Sequence, residues 1–420
     1  MRVRRIETAT AAGLAAALLP IAAEAQSKAV WPDVVVHLHG SGRAYIVDTK
    51  TDKIVADLAT GKGGTLGATT PDGKKVYVSN AAPGETEVVV IDLDKRDVTA
   101  RIKTGNRPKH GIVSPDGKWV GVNHWGLDGE KLKVSFIDTA TDKVAKEVNL
   151  DVKLPAVEPG KSLADYIKGV TSMHNAWSND GRFFLTVDRV DNEFVVIDTK
   201  DWTAKSIAVP SAPHYPVPSP NGKEVWLVVE GKSAENPPQV LIYDIAGGEF
   251  KEAGRIVMPI VDKSVIEGHH GNFTQDGKHF MLLNRGAGKP MWSREMVVVD
   301  VASRKVVKSI ETRSAGIGHT YNAPGGKLAF VTNYGNNVVT VVDTGKWEVV
   351  KDLIMGWGRM GHVAFTKDGK SAYVSNDFDG VLYKVDMAKL EMVSTIKTNG
   401  KPGGGQVLNV WTNVFEELPR

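Results

Sequence analysis

His362-Val363-Ala364-Phe365-Thr366-Lys367-Asp368-Gly369-Lys370-Ser371-Ala372-Tyr373-Val374-Ser375-Asn376 decides the fold. An apolar run, an Asp-Gly turn and a second β-rich run read as two antiparallel strands joined by a tight hairpin. The unit recurs along the chain. Its turns are Pro71-Asp72-Gly73, Pro115-Asp116-Gly117, Asn179-Asp180-Gly181, Pro220-Asn221-Gly222, Gln275-Asp276-Gly277, Pro324-Gly325-Gly326 and Lys367-Asp368-Gly369, each followed by Lys or Arg.

Between these hairpins lies a second repeated feature, an apolar strand that ends in Asp, at Asp48, Asp92, Asp138, Asp198, Asp244, Asp300, Asp343 and Asp386. Eight strand-Asp turns stand against seven Asp-Gly-type turns, so one unit lacks its first hairpin. A β-propeller explains the mismatch if one four-stranded blade is split between the termini. Val34 to His39, Arg43 to Asp48 and Ile54 to Ala56 would then be its outer strands, and Gln406 to Trp411 its innermost. The chain is therefore expected to be all-β, an eight-bladed β-propeller closed by a blade shared between the termini. Seven blades is the alternative if the terminal strands do something else.

Histidine occupies one place in this repeat. His110, His174, His270, His319 and His362 each stand six residues before the second residue of the hairpin turn, and they make up five of the 11 histidines in 420 residues. Arranged around an axis, those imidazoles would form a ring, and neutral imidazole nitrogens are good donors to copper, zinc or iron. They begin the inner strand of each blade, just after the outer-to-inner connections. The long connections, Asp151 to Val170, Val257 to Glu267, Glu230 to Gln239 and Arg285 to Glu295, fall on that same face, where function is expected.

The ends of the second strands reach the same rim and add Asn123, His124, Asp188, Glu230, Asn284, Asn333, Tyr334, Asn376 and Asp377. Basic residues crowd the approach, with Arg107 and Lys109 before His110, Lys168 before His174, Arg313 before His319 and Arg359 before His362. Such a funnel favours a small anionic ligand or substrate. Asp188, Asp377, Lys109 and Arg359 are the candidate catalytic groups beside a metal; Tyr215, Arg107 and Arg313 are candidate cofactor contacts. The register is broken at Leu66 and at Tyr215, which has His214 beside it. His37, His39, His269 and His279 read individually as strand or surface residues, His269 being the best of these because a His-His pair offers two donors at one edge.

Composition narrows the chemistry. The chain has no cysteine, which excludes disulfides, thiolate zinc sites, iron–sulfur clusters and covalent c-type haem. A formal net charge of +3 with 24% charged residues implies no nucleic-acid partner. Residues 1–25 read as a cleavable signal peptide, with Arg4-Arg5 at its basic start, an Ala-rich run from Ala9 to Ala23 and the cleavage pattern Ala23-Glu24-Ala25. Export to a periplasm, by either the Sec or the twin-arginine route, and a single propeller domain over 26–420 without a membrane span follow as expectations.

The Tyr-Val-Ser-Asn and Val-Val-Asp-Thr repeats resemble those of bacterial β-propellers with a YVTN-type repeat, over nearly all of residues 34 to 412. The blade count, the split blade and the tail from Gly400-Lys401-Pro402 to Asn413 look like the cytochrome d1 domain of periplasmic nitrite reductase and its relative in d1 haem biosynthesis. That resemblance implies a propeller able to hold a tetrapyrrole over its axis. The recurring His before the hairpin, as in Pro108-Lys109-His110-Gly111, is also similar to the propellers of nitrous oxide reductase and thiocyanate dehydrogenase. There a ring of histidines holds a multinuclear copper centre, which carried over would be His110, His174, His270, His319 and His362. The chain departs from nitrous oxide reductase in having no cupredoxin domain, so a separate periplasmic electron carrier would be needed. Three classes stay open: a copper-dependent oxidoreductase acting on a small nitrogen or sulfur species, a protein binding a d1-type haem or its precursor, and a metal carrier or scaffold holding zinc. Five histidines exceed what one haem iron needs, which favours metal bound directly.

Overall fold

The repeated hairpins assemble into eight four-stranded antiparallel sheets, an eight-bladed propeller. The computed structural model describes residues 30, 32–154, 170–231, 235–258, 268–284, 293–313, 315–358, 360–376, 380–398 and 408–411. Among them the only helical element is the short 3-10 turn Ala246–Gly248, and no helix is long and apolar enough to cross a membrane. Blade 1 contains Val34–His39, Arg43–Asp48 and Ile54–Ala59, and its fourth strand is Leu408–Trp411, antiparallel to Val34–His39 with Val36 opposite Trp411 and His39 opposite Leu408. Residues 1–25 and Gln406 lie outside the described residues.

Blades 2 to 8 run in chain order, each from its inner strand outward. Their inner strands are Gly64–Thr69, Pro108–Val113, Ala176–Trp177, Pro213–Pro218, Gly268–Phe273, Ile317–Asn322 and Met360–Phe365.

Local chemistry explains the repetition. In the hairpin turn the hydroxyl of Ser114 donates to Asp116 Oδ1 at 2.6 Å and accepts the Trp119 N–H at 3.0 Å, while the Gly117 N–H reaches back to the Ser114 carbonyl at 2.8 Å. Thr70, Ser178, Thr274 and Thr366 bond the turn aspartate in the same way. Gly117 and Gly181 sit at φ of 75° and 72°, the left-handed region that Gly enters without steric cost. At the strand-Asp corner the carboxylate accepts the N–H groups two and three residues on, as at Asp138 from Ala140 and Thr141, both at 2.9 Å. The residue four on, Asp142 here, then donates back to the Asp138 carbonyl at 2.8 Å with φ of 53°.

Packing between neighbouring sheets supplies the core. Val36, Leu38, Ala44 and Ile46 of blade 1 meet Val76, Val78, Val89 and Ile91 of blade 2, and similar apolar clusters lie between blades around the molecule. The fit is close enough to dictate a glycine: a Cβ on Gly121 of blade 3 would lie 2.2 Å from the Phe184 ring of blade 4. Outer strands such as Lys305–Glu311 face solvent along most of their length and bury little.

Candidate metal centre

A β-bulge sits at the start of the inner strand in six blades, inserting one extra residue there. In blade 3, Lys109 and His110 together face Asn123; in blade 7, Gly318 and His319 face Thr332; in blade 8, Gly361 and His362 face Ser375. The opposing side chain satisfies the backbone donor that the bulge displaces. His110 N–H donates to Asn123 Oδ1 at 3.0 Å, His319 N–H to Thr332 Oγ1 at 3.2 Å and His362 N–H to Ser375 Oγ at 2.8 Å. Bulges re-aim side chains, and here they turn the inner strand's leading residues toward the axis.

The five in-register imidazoles meet there in sequence. Ring centroids lie 5.0 Å apart for His110 and His174, 4.4 Å for His174 and His270, 3.7 Å for His270 and His319, and 4.5 Å for His319 and His362. They line a cavity of about 50 Å³, room for a few waters or a small ion. His269 and His214 join them, His269 at 4.4 Å from His270 and His214 at 5.2 Å from His174 and 5.0 Å from His270. Tyr215 also lines the cavity, 5.3 Å from both His174 and His270.

Three of these histidines converge: the donor nitrogens of His174, His214 and His270 lie within 4.8 Å of one another. All three residues are buried. Burial, and then the neighbouring imidazoles, holds His174 and His270 well below the ordinary histidine range, and burial lowers His269 to about 3. They are neutral at physiological pH, the form that binds metals. His270 Nε2 is buried without a hydrogen-bond partner among the described residues, a costly state for a polar atom.

Hydrogen bonds on the other ring nitrogens sort the remaining members. His214 Nδ1 bonds Glu230 Oε1 at 2.5 Å, and Arg189 grips the same carboxylate with Nη1 to Oε1 at 2.7 Å and Nη2 to Oε2 at 2.8 Å. Burial opposes ionisation of Glu230, but these contacts outweigh it and hold its carboxyl well below the usual range. His269 Nδ1 donates to the Gly318 carbonyl at 2.8 Å, which leaves Nε2 as its lone-pair nitrogen. His110 is the reverse: the Asn175 N–H donates to its Nδ1 at 2.9 Å, which puts the ring proton on Nε2. His362 lies between two phenols, with Tyr321 at 2.5 Å from Nδ1 and Tyr334 at 3.4 Å from Nε2.

The other expected site residues are placed differently. Asp188 accepts the Val190 and Asp191 N–H groups at 2.7 and 3.3 Å; burial raises it to about 6, and the carboxylate bonded to an imidazole is Glu230. Lys109 is buried, 4.3 Å from the Trp125 ring centroid, and burial followed by the charge of Arg107 lowers it to about 7. Arg107 spans Trp125 as well and donates to the Ala81 carbonyl at 3.1 Å, so this basic pair packs on an aromatic ring at the rim. Arg313 is exposed ahead of the blade 7 inner strand, and Asp377, Arg359 and Lys168 lie outside the described residues. His124 bonds the Lys133 carbonyl at 2.9 Å, His39 bonds Ser41 at 2.5 Å, and His279 packs edge-on to Trp347 at 5.1 Å. His37 is wholly buried in a blade 1 strand.

No protein-family model matches the chain, and no curated protein matches it in sequence. Solved structures do match its fold. A dihydro-heme d1 dehydrogenase in complex with DHE superposes with a TM-score of 0.69 at 18% identity, covering 94% of this chain and 82% of that one. The periplasmic gluconolactonase of Pseudomonas aeruginosa matches with a TM-score of 0.58 at 18% identity over 78% of this chain and 96% of its own. Kuenenia stuttgartiensis hydrazine synthase gives 0.57 at 18% identity, over 81% and 97% respectively. At this identity the likeness is one of fold.

Proposed function

We propose that this chain is a periplasmic metal-binding propeller whose centre is held by His174, His214 and His270, with copper the favoured ion and redox chemistry on a small nitrogen or sulfur species its use. The convergence of three buried ring nitrogens within 4.8 Å carries this reading. The residues suit the group: His174 and His270 are neutral imidazoles, His270 Nε2 is buried with no hydrogen-bond partner among the described residues, and metal–nitrogen bonds of about 2.0–2.1 Å require only a modest contraction. A nitrogen-only donor set without cysteine favours copper over zinc by the usual order of divalent affinities. Copper bound there would supply one-electron redox chemistry and polarise a bound ligand.

The chain's own residues divide the remaining work. His110, protonated on Nε2, is a hydrogen-bond donor at the cavity wall, and Tyr215 closes one side. The cavity of about 50 Å³ limits the ligand inside to a few atoms, and Lys109 with Arg107 at the rim suits an anion. Electrons would pass to or from a separate carrier.

A second reading has one observation in its favour, the fold match over 94% of the chain to a dehydrogenase of a d1-type haem. A macrocycle exceeds the cavity, so the imidazoles that line it could hold one only from the mouth. Elemental analysis and an absorption spectrum of protein secreted to the periplasm separate the readings. Copper without a Soret band is expected. A Soret or d1-like band would replace it with the tetrapyrrole reading, zinc alone with the carrier reading, and failure to take up any metal would overturn the metal-centre assignment.

A further inference from the structure

Arg189, Glu230 and His214 form a chain of contacts that runs from blade 4 into the histidine cluster. Arg189 follows the second strand of blade 4, Phe183–Asp188, and its backbone is fixed by its N–H donating to the Thr171 carbonyl at 2.9 Å. Glu230 follows the second strand of blade 5, Glu224–Val229. Its N–H donates to the Ala212 carbonyl at 3.0 Å, and its own carbonyl accepts the Gly268 N–H of blade 6 at 3.0 Å. Both backbones are thus held independently of the side-chain contact, which is bidentate between guanidinium and carboxylate.

A planar two-pronged grip leaves the carboxylate little rotational freedom. Its Oε1 therefore has one place to meet the imidazole, at Nδ1 of the fully buried His214. An ionised carboxylate only accepts, so Nδ1 must carry the proton, and in the neutral ring Nε2 then holds the lone pair. The other imidazoles show that this outcome is not automatic, since the ring that blade 3 contributes, His110, is held in the opposite tautomer by a backbone N–H.

We infer that Glu230, clamped by Arg189, is the positioning residue of the metal centre: it selects the His214 tautomer whose Nε2 lone pair is offered beside His174 and His270, and it strengthens that nitrogen as a donor. The inference rests on the metal reading above. Outer carboxylates that hold a ligating histidine typically contribute 10- to 100-fold in metal affinity. A clamp that merely joined blades 4 and 5 would lower thermal stability and leave affinity and tautomer alone.

The test uses the full secreted chain, stripped with chelator and titrated with cobalt(II), whose visible bands report coordination geometry. Alongside it, nitrogen-15 NMR of the metal-free protein reads the His214 tautomer directly. For the unaltered chain we expect one cobalt site and the Nδ1–H form of His214. Glu230→Gln, which keeps the side chain's shape, should weaken cobalt about 10- to 100-fold, alter the visible bands and populate the other tautomer. Glu230→Asp should recover part of the affinity. Cobalt binding by the unaltered chain with undiminished affinity and an unchanged His214 tautomer in Glu230→Gln would overturn the inference while sparing the metal reading. An unaltered chain that binds no cobalt would overturn the metal reading and this inference with it.

Discussion

The two ends of the propeller axis follow opposite rules. On the hairpin-turn face five blades repeat the same small network, in which Ser or Thr meets a turn aspartate and a left-handed glycine follows, as at Ser178-Asn179-Asp180-Gly181 and Thr366-Lys367-Asp368-Gly369. On the histidine face the imidazoles are held in different ways. His110 is held by a backbone N–H, His214 by a clamped carboxylate, His269 by a backbone carbonyl and His362 by two phenols. Repetition builds the scaffold, and the departures from it build the chemistry.

If that division holds, substitutions on each face should have separable effects. The largest is expected at the centre. His270→Ala should remove metal from the purified protein, a loss beyond the 10- to 100-fold of an outer partner, with little change in fold. His362→Ala should keep most of the metal, because its ring nitrogens face Tyr321 and Tyr334. Equal metal content in both variants would erase the distinction between members of the cluster.

Acid should act on the body between the faces. Burial lowers His37 to about 3 and His124 to about 4, so below 6.5 the unfolded chain takes up protons that the folded chain refuses. The stability these two residues give is complete above their unfolded value and declines as pH falls toward 4 and then 3, by roughly 1.4 kcal/mol per pH unit for each. Asp188, raised to about 6 by burial, opposes this, since the folded chain binds its proton first. Two groups outweigh one, and thermal melts should show a lower Tm at pH 5 than at pH 7. A flat or rising Tm on acidification would mean that the buried histidines are solvated.

The smallest effect belongs to the turn face. Gly181→Ala imposes a left-handed conformation on a residue with a Cβ, at about 1–2 kcal/mol, and ordinary space surrounds that Cβ, Pro115 being 3.4 Å away. Chemical denaturation should register the loss while metal content stays at the unaltered level. A Gly181→Ala protein depleted in metal would show that the two faces are coupled.

The blades could be read from sequence because their turn chemistry sits at fixed offsets: Asp-Gly and strand-Asp corners are local, and counting them gave eight units. The site could be read only in part. His110, His174, His270, His319 and His362 come together as their shared register suggests, yet His214 and His269 enter the same cluster one residue out of register. A bulge shifts which residues face the axis, and its cause is the pairing with a neighbouring strand, which leaves no local mark. The carboxylate partner was similarly hidden. Glu230 and Asp188 are both rim carboxylates in sequence; only the approach of Arg189 from the next blade and the packing of His214 beneath it separate a carboxylate that holds an imidazole from one that caps its own turn.

The bulges have a further consequence. A regular inner strand can present every second side chain to the axis, so the number of groups at the mouth is tied to the number of blades. With one added residue, a blade can contribute two neighbouring side chains, as blade 6 does with His269 and His270 and blade 5 with His214 and Tyr215. The inventory of the centre is thereby uncoupled from the symmetry of the ring. Leu66 of blade 2, already at the cavity wall beside a bulge, marks a position where a single codon change could enlarge the donor set without altering the architecture that carries it.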